Sequence, residues 1–178
     1  MEKNRQGLLH IYCGDGKGKP SAAVGMAVRA AGCGMKVLVI RFLKTENSGE
    51  VEVLRSIPGI TVTPCDRTFG FVFRMTEEQK QEAALYYQSR FEAAAKEAVQ
   101  GQYDLLILDE ILASCNYGMV RETSVVEFLQ NRPEKLEVVL TGRNPSETFL
   151  ELADYVSEIC MRRHPYEKGI PARRGIEF

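Results

Sequence analysis

Residues 8–21 read LLHIYCGDGKGKPS, an apolar run followed by three glycines that alternate with other residues. The apolar part predicts a buried strand, and the alanine-rich run that begins at Ala22 predicts a helix. Strand, glycine loop and helix together form the context that a phosphate-binding loop requires. In such a loop the backbone N–H groups point at an anion, and the helix N-terminus adds partial positive charge. We therefore predict phosphate contacts over Gly14, Asp15, Gly16, Lys17, Gly18, Lys19, Pro20 and Ser21, with Lys19 as the point charge on the terminal phosphates.

The match to the pattern G-x-x-x-x-G-K-[ST] is incomplete at two positions. Cys13 stands at the first glycine, and Pro20 stands at the final Ser/Thr. Pro20 has neither a hydroxyl for a magnesium ion nor an N–H for a phosphate, although proline suits the first turn of a helix. A lost hydrogen bond to a charged group costs roughly 1.5–3 kcal/mol, or about 10- to 100-fold in binding. The adjacent Ser21 lies about 100° further round the helix and is a poor substitute. The alternative interpretation is a glycine-rich turn without a ligand.

Length, charge and cysteine content predict which class of protein this is. The 178 residues are enough for one domain with a full core, and 23 basic against 24 acidic residues give a net charge of -1, which does not favour nucleic-acid binding. No apolar run is long enough for a membrane span or a signal peptide. The five cysteines are scattered and odd in number, so we predict reduced, buried thiols in a cytoplasmic protein. They are Cys13, Cys33, Cys65, Cys115 and Cys160.

Strand and helix patterns alternate along the chain. Strands are predicted at 8–13, 36–43, 60–63, 103–109, 136–141 and 155–161, with helices between them, including 50–56, 76–100 and 146–153. This alternation predicts an α/β fold, P-loop NTPase-like, with a mostly parallel sheet and helices on both faces. We predict a single domain over 1–178, with a basic C-terminal arm from about residue 162 that either binds an anionic ligand or is solvated.

Several charged residues follow predicted strands, at the sheet edge where open α/β folds bind ligands. An almost unbroken apolar strand ends in Asp109 and Glu110, as in a Walker B strand that holds magnesium; capping acids are the alternative. Lys44 follows the second strand and is either a phosphate contact or a solvated lysine. Arg143 follows a later strand and is either a phosphate contact or part of a surface salt bridge.

An aromatic segment separates the third strand from the long helix. Alternation would place Phe69, Phe71 and Phe73 on one face of an extended segment. A core strand is one interpretation. The internal Gly70 and the flanking arginines favour the other, a loop that presents aromatic rings to a ligand.

Taken together, these residues resemble the P-loop type of ATP:corrinoid adenosyltransferases, over about residues 7–178. The most specific similarities are Gly14–Lys19, Arg41-Phe42-Leu43-Lys44, Gly70-Phe71-Val72-Phe73, Leu108-Asp109-Glu110, Thr141-Gly142-Arg143 and the tail from Gly169 to Phe178. Two departures concern the same regions. The family reads Lys-Thr-Thr where this chain has Lys19-Pro20-Ser21, and many members have glutamine where this chain has Arg173.

The resemblance implies the substrates and their sites. ATP would lie across the loop, with Arg41, Lys44 and Arg143 as further contacts, and Glu110 and Asp109 would hold Mg²⁺. A corrinoid would lie against Phe71 and Phe73, which would displace the lower axial ligand of cobalt. Reduced Co(I) would then attack the 5′ carbon of ATP and expel triphosphate. The resemblance also implies a homodimer and a flavodoxin-like or flavin reductant.

Two other functions remain open from the sequence. Pro20 would be compatible with a protein that binds nucleotide or corrinoid as a carrier or sensor without turnover. A P-loop ATPase or phosphotransferase with a different substrate is the second alternative. Triphosphate release distinguishes the proposed transfer from ordinary hydrolysis to phosphate.

Overall fold

The computed structural model describes residues 6–70 and 72–177, which contain one parallel sheet and its helices. In the described ranges the chain forms, in order, β1 (Leu9–Cys13), α1 (Lys19–Gly32), β2 (Val37–Arg41), α2 (Glu50–Ser56), β3 (Ile60–Val62), a 3-10 turn (Val72–Arg74), α3 (Glu77–Gln100), β4 (Leu105–Asp109), α4 (Ile111–Asn116), α5 (Glu122–Asn131), β5 (Glu137–Thr141), α6 (Glu147–Leu152), β6 (Tyr155–Glu158) and a second 3-10 turn (Pro165–Lys168).

The strand order is β3-β2-β4-β5-β1-β6, and each neighbouring pair is parallel. The α/β prediction with a mostly parallel sheet is therefore confirmed. Because every strand runs in the same direction, the carboxyl ends of β1, β2, β4 and β5 lie along one edge. The register places Arg41 beside Asp109 and Tyr12 beside Thr141 at that edge. The sheet thus brings together residues from distant parts of the sequence.

Alternate strand residues pack into cores on the two faces of the sheet. In β4, Leu106 and Leu108 belong to the core that contains buried residues of α3, α5 and α6, whereas Leu105 and Ile107 belong to the core beneath α1 and α2. Both sets of side chains are at most 1% exposed, and each fully buried leucine contributes about 1.5–3 kcal/mol. Helices therefore cover both faces, as predicted.

The long helix α3 begins and packs as its sequence indicates. The hydroxyl of Thr76 accepts from the backbone N–H of Gln79, and the Gln79 side chain accepts from the N–H of Thr76, which completes a capping box. The buried stripe repeats at helical spacing, and Gly101 caps the end. It contains Ala83, Tyr87, Phe91, Ala94 and Ala98, while Ala84 and Ala95 are half-buried at its margin.

The structure also differs from some sequence predictions. β2 ends at Arg41 because Leu43 adopts a left-handed backbone conformation, with φ 54°. β6 ends at Glu158, and all four of its residues are exposed. The prediction of five buried thiols is wrong for Cys33 and Cys160, which are exposed, although all five are free thiols. Among the described residues, no helix is both long and apolar enough to cross a bilayer.

Candidate functional site

The glycine loop is shaped by the backbone that follows β6. A Cβ on Gly14 would lie 2.5 Å from the Ile159 carbonyl oxygen, and one on Gly16 would lie 2.6 Å from it. The N–H of Gly16 donates to that oxygen at 2.7 Å. Gly14 also has φ 100°, a conformation that L-residues rarely adopt. The glycines are therefore required by close packing as well as by the turn.

Asp15 of the glycine loop also contacts the segment that follows β6. Its Oδ1 accepts from the backbone N–H of Met161 at 2.8 Å, and this bond is the main cause that lowers the pKa of the Asp15 carboxyl. The exposed Arg143 approaches the loop from the end of β5, with Nη2 3.5 Å from the Asp15 carbonyl oxygen. Arg143 therefore lies beside the loop, as a phosphate contact would.

Lys19 is the first residue of α1 and is only 5% exposed. Its Nζ donates to the Gly16 carbonyl oxygen at 2.8 Å, across the turn of the loop. Burial lowers the pKa of Lys19, the positive charge of Arg143 lowers it further, and the Glu110 carboxylate opposes both. Pro20 lies in the first turn of α1 as predicted, and Ser21 is exposed. The first turn therefore has no hydroxyl at the position of Pro20, and its one hydroxyl belongs to the exposed Ser21.

The carboxylate of Asp109 is buried, and each of its oxygens accepts a hydrogen bond. Oδ1 accepts from the Thr141 hydroxyl at 2.6 Å, and Oδ2 accepts from Lys44 Nζ at 2.5 Å. The residue is 5% exposed. Thr141 was not among the predicted site residues, although its position at the end of β5, directly before Gly142, was a usable signal. It also accepts from the backbone N–H of Glu110 at 2.9 Å, so it fixes both acidic residues.

Glu110 follows β4 in a left-handed conformation, with φ 62°. Burial raises the pKa of its carboxyl, and the neighbouring Asp109 charge raises it further. Lys44, Lys19 and Arg143 oppose these effects, so all three cations act on one carboxylate. No hydrogen bond to the Glu110 side-chain oxygens is found within 6–70 and 72–177. Glu110 is therefore the acidic group around which the predicted phosphate contacts converge.

Arg41 does not join this group. It is 2% exposed, and its guanidinium donates to the Thr45 carbonyl oxygen and to Glu46 Oε1, both at 2.9 Å. Glu46 in turn accepts from Arg55 at 2.8 Å. Arg41 therefore holds the loop that contains Lys44, and it also lines a small cavity with Pro20 and Asp109. Its predicted contact with ATP stays a prediction.

The site offers few donor atoms to a resident divalent cation. Mg²⁺ requires near-ideal octahedral oxygen coordination, but both oxygens of Asp109 already accept hydrogen bonds and Pro20 supplies no ligand. Within the described ranges, no group of three His, Cys, Asp or Glu side chains could hold a metal ion. Within the described ranges these residues thus offer a divalent cation fewer ligands than the family pattern, with Glu110 as the remaining carboxylate, and the predicted Mg²⁺ site stays a prediction.

The aromatic segment forms a loop, and its rings separate. Phe69 packs against Tyr86 and Tyr87, with ring centroids 5.5 and 5.8 Å away, whereas Phe73 lies in the 3-10 turn and is 79% exposed. The prediction that these rings share one face of an extended segment is thus wrong for Phe69 and Phe73, because Gly70 has φ 76° and Phe73 lies in the 3-10 turn. Phe71 lies outside the described residues. The interpretation as a loop is confirmed for the part described.

The C-terminal arm returns to the glycine loop. Glu177 Oε1 lies 3.4 Å from Lys17 Nζ, and its carboxylate accepts from the backbone N–H, Nε and Nη2 of Arg173. These bonds lower the pKa of Glu177 to about 2. Arg173 therefore holds the carboxylate that contacts the loop. Sequence reasoning did not find this role, since the pairing depends on the fold of the arm.

Comparisons with known proteins identify the family of this chain. The family described as ATP:corrinoid adenosyltransferase BtuR/CobO/CobP matches residues 5–178. A corrinoid adenosyltransferase of Pseudomonas aeruginosa is 33% identical over 177 residues, which cover 99% of this chain and 86% of the relative. The Escherichia coli K12 protein of the same name is 32% identical over 177 residues, 99% of this chain and 88% of the relative. This chain therefore belongs to the ATP:corrinoid adenosyltransferase family, a family of enzymes.

Proposed function

We propose that this enzyme transfers the 5′-deoxyadenosyl group of ATP to Co(I) of a reduced corrinoid and releases triphosphate. The observation that carries the proposal is a glycine loop at one edge of the sheet with three cations around it: Lys19 bonded to the loop, Arg143 beside it and Lys44 held at Asp109. Three cations at this position suit a highly charged polyphosphate. The family relationship supplies the corrinoid as the second substrate.

The chemistry needs few groups from the protein. A cobalt–carbon bond forms at the 5′ carbon of ATP while the bond from that carbon to the triphosphate oxygen breaks, and the triphosphate leaves with the electron pair. Cobalt is the nucleophile, so the protein supplies positioning and charge. Lys19, Lys44 and Arg143 would stabilise the charge that develops on the departing triphosphate. No resident divalent cation is required by this scheme.

The corrinoid would bind against the exposed aromatic loop. Phe73 is 79% exposed. The guanidinium carbon of its neighbour Arg74 lies over the ring, 5.5 Å from the centroid. We propose that Phe73, together with Phe71, displaces the lower axial ligand of cobalt and so makes Co(II) easier to reduce. A flavodoxin-like protein or free flavin would be the reductant, in a cytoplasmic homodimeric enzyme.

An anaerobic assay tests the proposal. The protein is mixed with ATP, Mg²⁺ and chemically reduced cobalamin, and both adenosylcobalamin and triphosphate are followed. We expect the two products in equal amounts, and their loss in Lys19→Met. Binding of ATP or cobalamin without product would support the carrier alternative. Phosphate in place of triphosphate would support the ATPase alternative, and either result would reject the transfer.

A further inference from the structure

Lys44 contacts the acid at the end of β4, Asp109. In phosphate-loop proteins the acid at the end of the equivalent strand holds magnesium, but here Oδ2 of Asp109 accepts from the Lys44 ammonium at 2.5 Å. The two side chains are 21% and 7% exposed, so the pair is largely shielded from water. A cation is therefore already present where the divalent ion would be expected.

The backbone before Lys44 is held in an unfavourable conformation. Leu43 has φ 54°, and for a residue with a Cβ the left-handed region costs roughly 1–2 kcal/mol. Such strain persists where the surroundings fix it, and it concentrates at functional sites. Here the surroundings include Arg41, which donates to the Thr45 carbonyl oxygen on the other side of Lys44. The conformation that directs Lys44 to Asp109 is thus imposed by the loop.

One metal-ligand position differs from the family pattern, because Pro20 stands where the family has a threonine. Pro20 removes the hydroxyl that the loop would offer to Mg²⁺, and Thr141 engages the second oxygen of Asp109. An ammonium group donates up to three hydrogen bonds, so Lys44 can contact Asp109 and still donate to a phosphate oxygen. The positive charge of Lys44, together with Lys19 and Arg143, then neutralises part of the phosphate charge that a divalent ion would otherwise neutralise.

We infer that the Lys44 ammonium replaces the divalent cation in this chain, so that ATP binds with little dependence on Mg²⁺. The inference rests on the proposed function, since it takes ATP as the ligand of the loop. It concerns only how the triphosphate is neutralised, and transfer to the corrinoid is a separate step. An ordinary structural ion pair would stabilise the fold without changing how ATP binding responds to Mg²⁺.

Calorimetric titration of ATP, in a metal chelator and in Mg²⁺, tests the inference. The wild-type affinity should differ by less than about threefold between the two conditions. Lys44→Met should lose about tenfold or more in chelator, and Lys44→Met with Pro20→Thr should bind ATP at least about tenfold more tightly in Mg²⁺ than in chelator. Lys80→Met is the matched control, because Lys80 pairs with Glu77 on the surface at 2.7 Å; it should behave as wild type.

Two results would overturn the inference. One is wild-type binding that tightens about tenfold or more on addition of Mg²⁺. The other is a Lys44→Met variant that stays folded and binds ATP in chelator as tightly as wild type, which would make Lys44 a structural partner only. Neither result affects the proposed function, provided that adenosylcobalamin and triphosphate still form. Absence of ATP binding in both conditions would instead reject the proposed function and the inference together.

Discussion

The glycine-loop edge and the aromatic loop of the candidate site differ in how deeply their side chains are buried. At the edge, Lys19 and Asp109 are each 5% exposed, and both have hydrogen-bond partners inside the protein. In the aromatic loop, Phe73 is 79% exposed and lies in a single 3-10 turn. The first region is built before any substrate arrives, whereas the second presents a large apolar surface to solvent.

This difference suits the two regions to different substrates, the edge to the polyphosphate of ATP and the aromatic loop to the corrinoid. A preformed cradle loses little conformational entropy when a polyphosphate binds. An exposed aromatic ring instead gains buried area only when a large flat ligand covers it. We therefore expect substitutions at the edge to change stability or ATP binding, according to the contact removed, and substitution of the exposed Phe73 to affect the corrinoid step alone.

The largest effect, a loss of stability, is expected from Gly14→Ala, which disrupts the packing of the glycine loop. The new Cβ would lie 2.5 Å from a backbone oxygen at a φ of 100°, so we expect a loss of about 2 kcal/mol or more in the free energy of unfolding. Gly25→Ala is the control, since nothing lies within 4 Å of its Cβ position inside α1, and it should stabilise by about 0.5–1 kcal/mol. Chemical denaturation measures both. Equal stability of the two variants would contradict the close packing described.

Lys19→Met should have the next largest effect, on ATP affinity. Loss of a charged hydrogen-bond donor to the triphosphate should weaken binding by about 10- to 100-fold, as measured by calorimetry. Burial of Lys19 costs free energy for its charge, so the melting temperature should not fall in parallel. A variant with normal ATP affinity would remove Lys19 from the proposed cradle.

Phe73→Ala should separate the two regions. Because the ring is exposed, we expect an unchanged melting temperature and ATP affinity, with adenosylcobalamin formation reduced by about tenfold. Phe69→Ala is the matched control: its ring packs on Tyr86 and Tyr87, so it should lower the stability by about 1–3 kcal/mol. If Phe73→Ala left the rate of adenosylation unchanged, the aromatic loop would have no part in the corrinoid step.

Glu110→Gln should give the smallest effect, a pH-dependent change in stability. Burial raises the pKa of this carboxyl above its ordinary value of 4.5, so the protonated form favours the folded state. The stability contributed by Glu110 is present below pH 4.5 and is lost as the pH rises through the raised pKa. Glu110→Gln should therefore melt slightly above wild type at neutral pH, and this difference should disappear in acid. Glu127→Gln, on the exposed face of α5, should show no such pH dependence.

Local patterns were sufficient for most of the fold. The predicted helix at 50–56 has the same bounds as α2, and the Thr76 cap was recognisable from the glutamine three residues later. The acidic pair at the end of β4 was identified because an apolar strand ends there. These features depend on neighbours within a few residues, and sequence spacing reports them directly.

Pairings across the sheet were less accessible. Thr141 and Asp109 are 32 residues apart, and their contact depends on β5 lying beside β4. The pairing of Arg41 with Glu46 also depends on the conformation of a loop. The separation of Phe69 from Phe73 likewise results from a turn that alternation does not encode. Side-chain partners therefore remained uncertain where the elements themselves were clear.

The bracing of the glycine loop by the segment after β6 has a consequence for synthesis on the ribosome. Asp15 and Met161, which hydrogen-bond to each other, are 146 residues apart in sequence. The loop emerges among the first residues, but its packing partners emerge only after β6, and domains generally fold as units during synthesis. A nascent or truncated chain that lacks Ile159 and Met161 would thus have the whole phosphate-loop sequence without its shape. The proposed ATP-binding loop would therefore take its shape only after the segment that follows β6 has been synthesised.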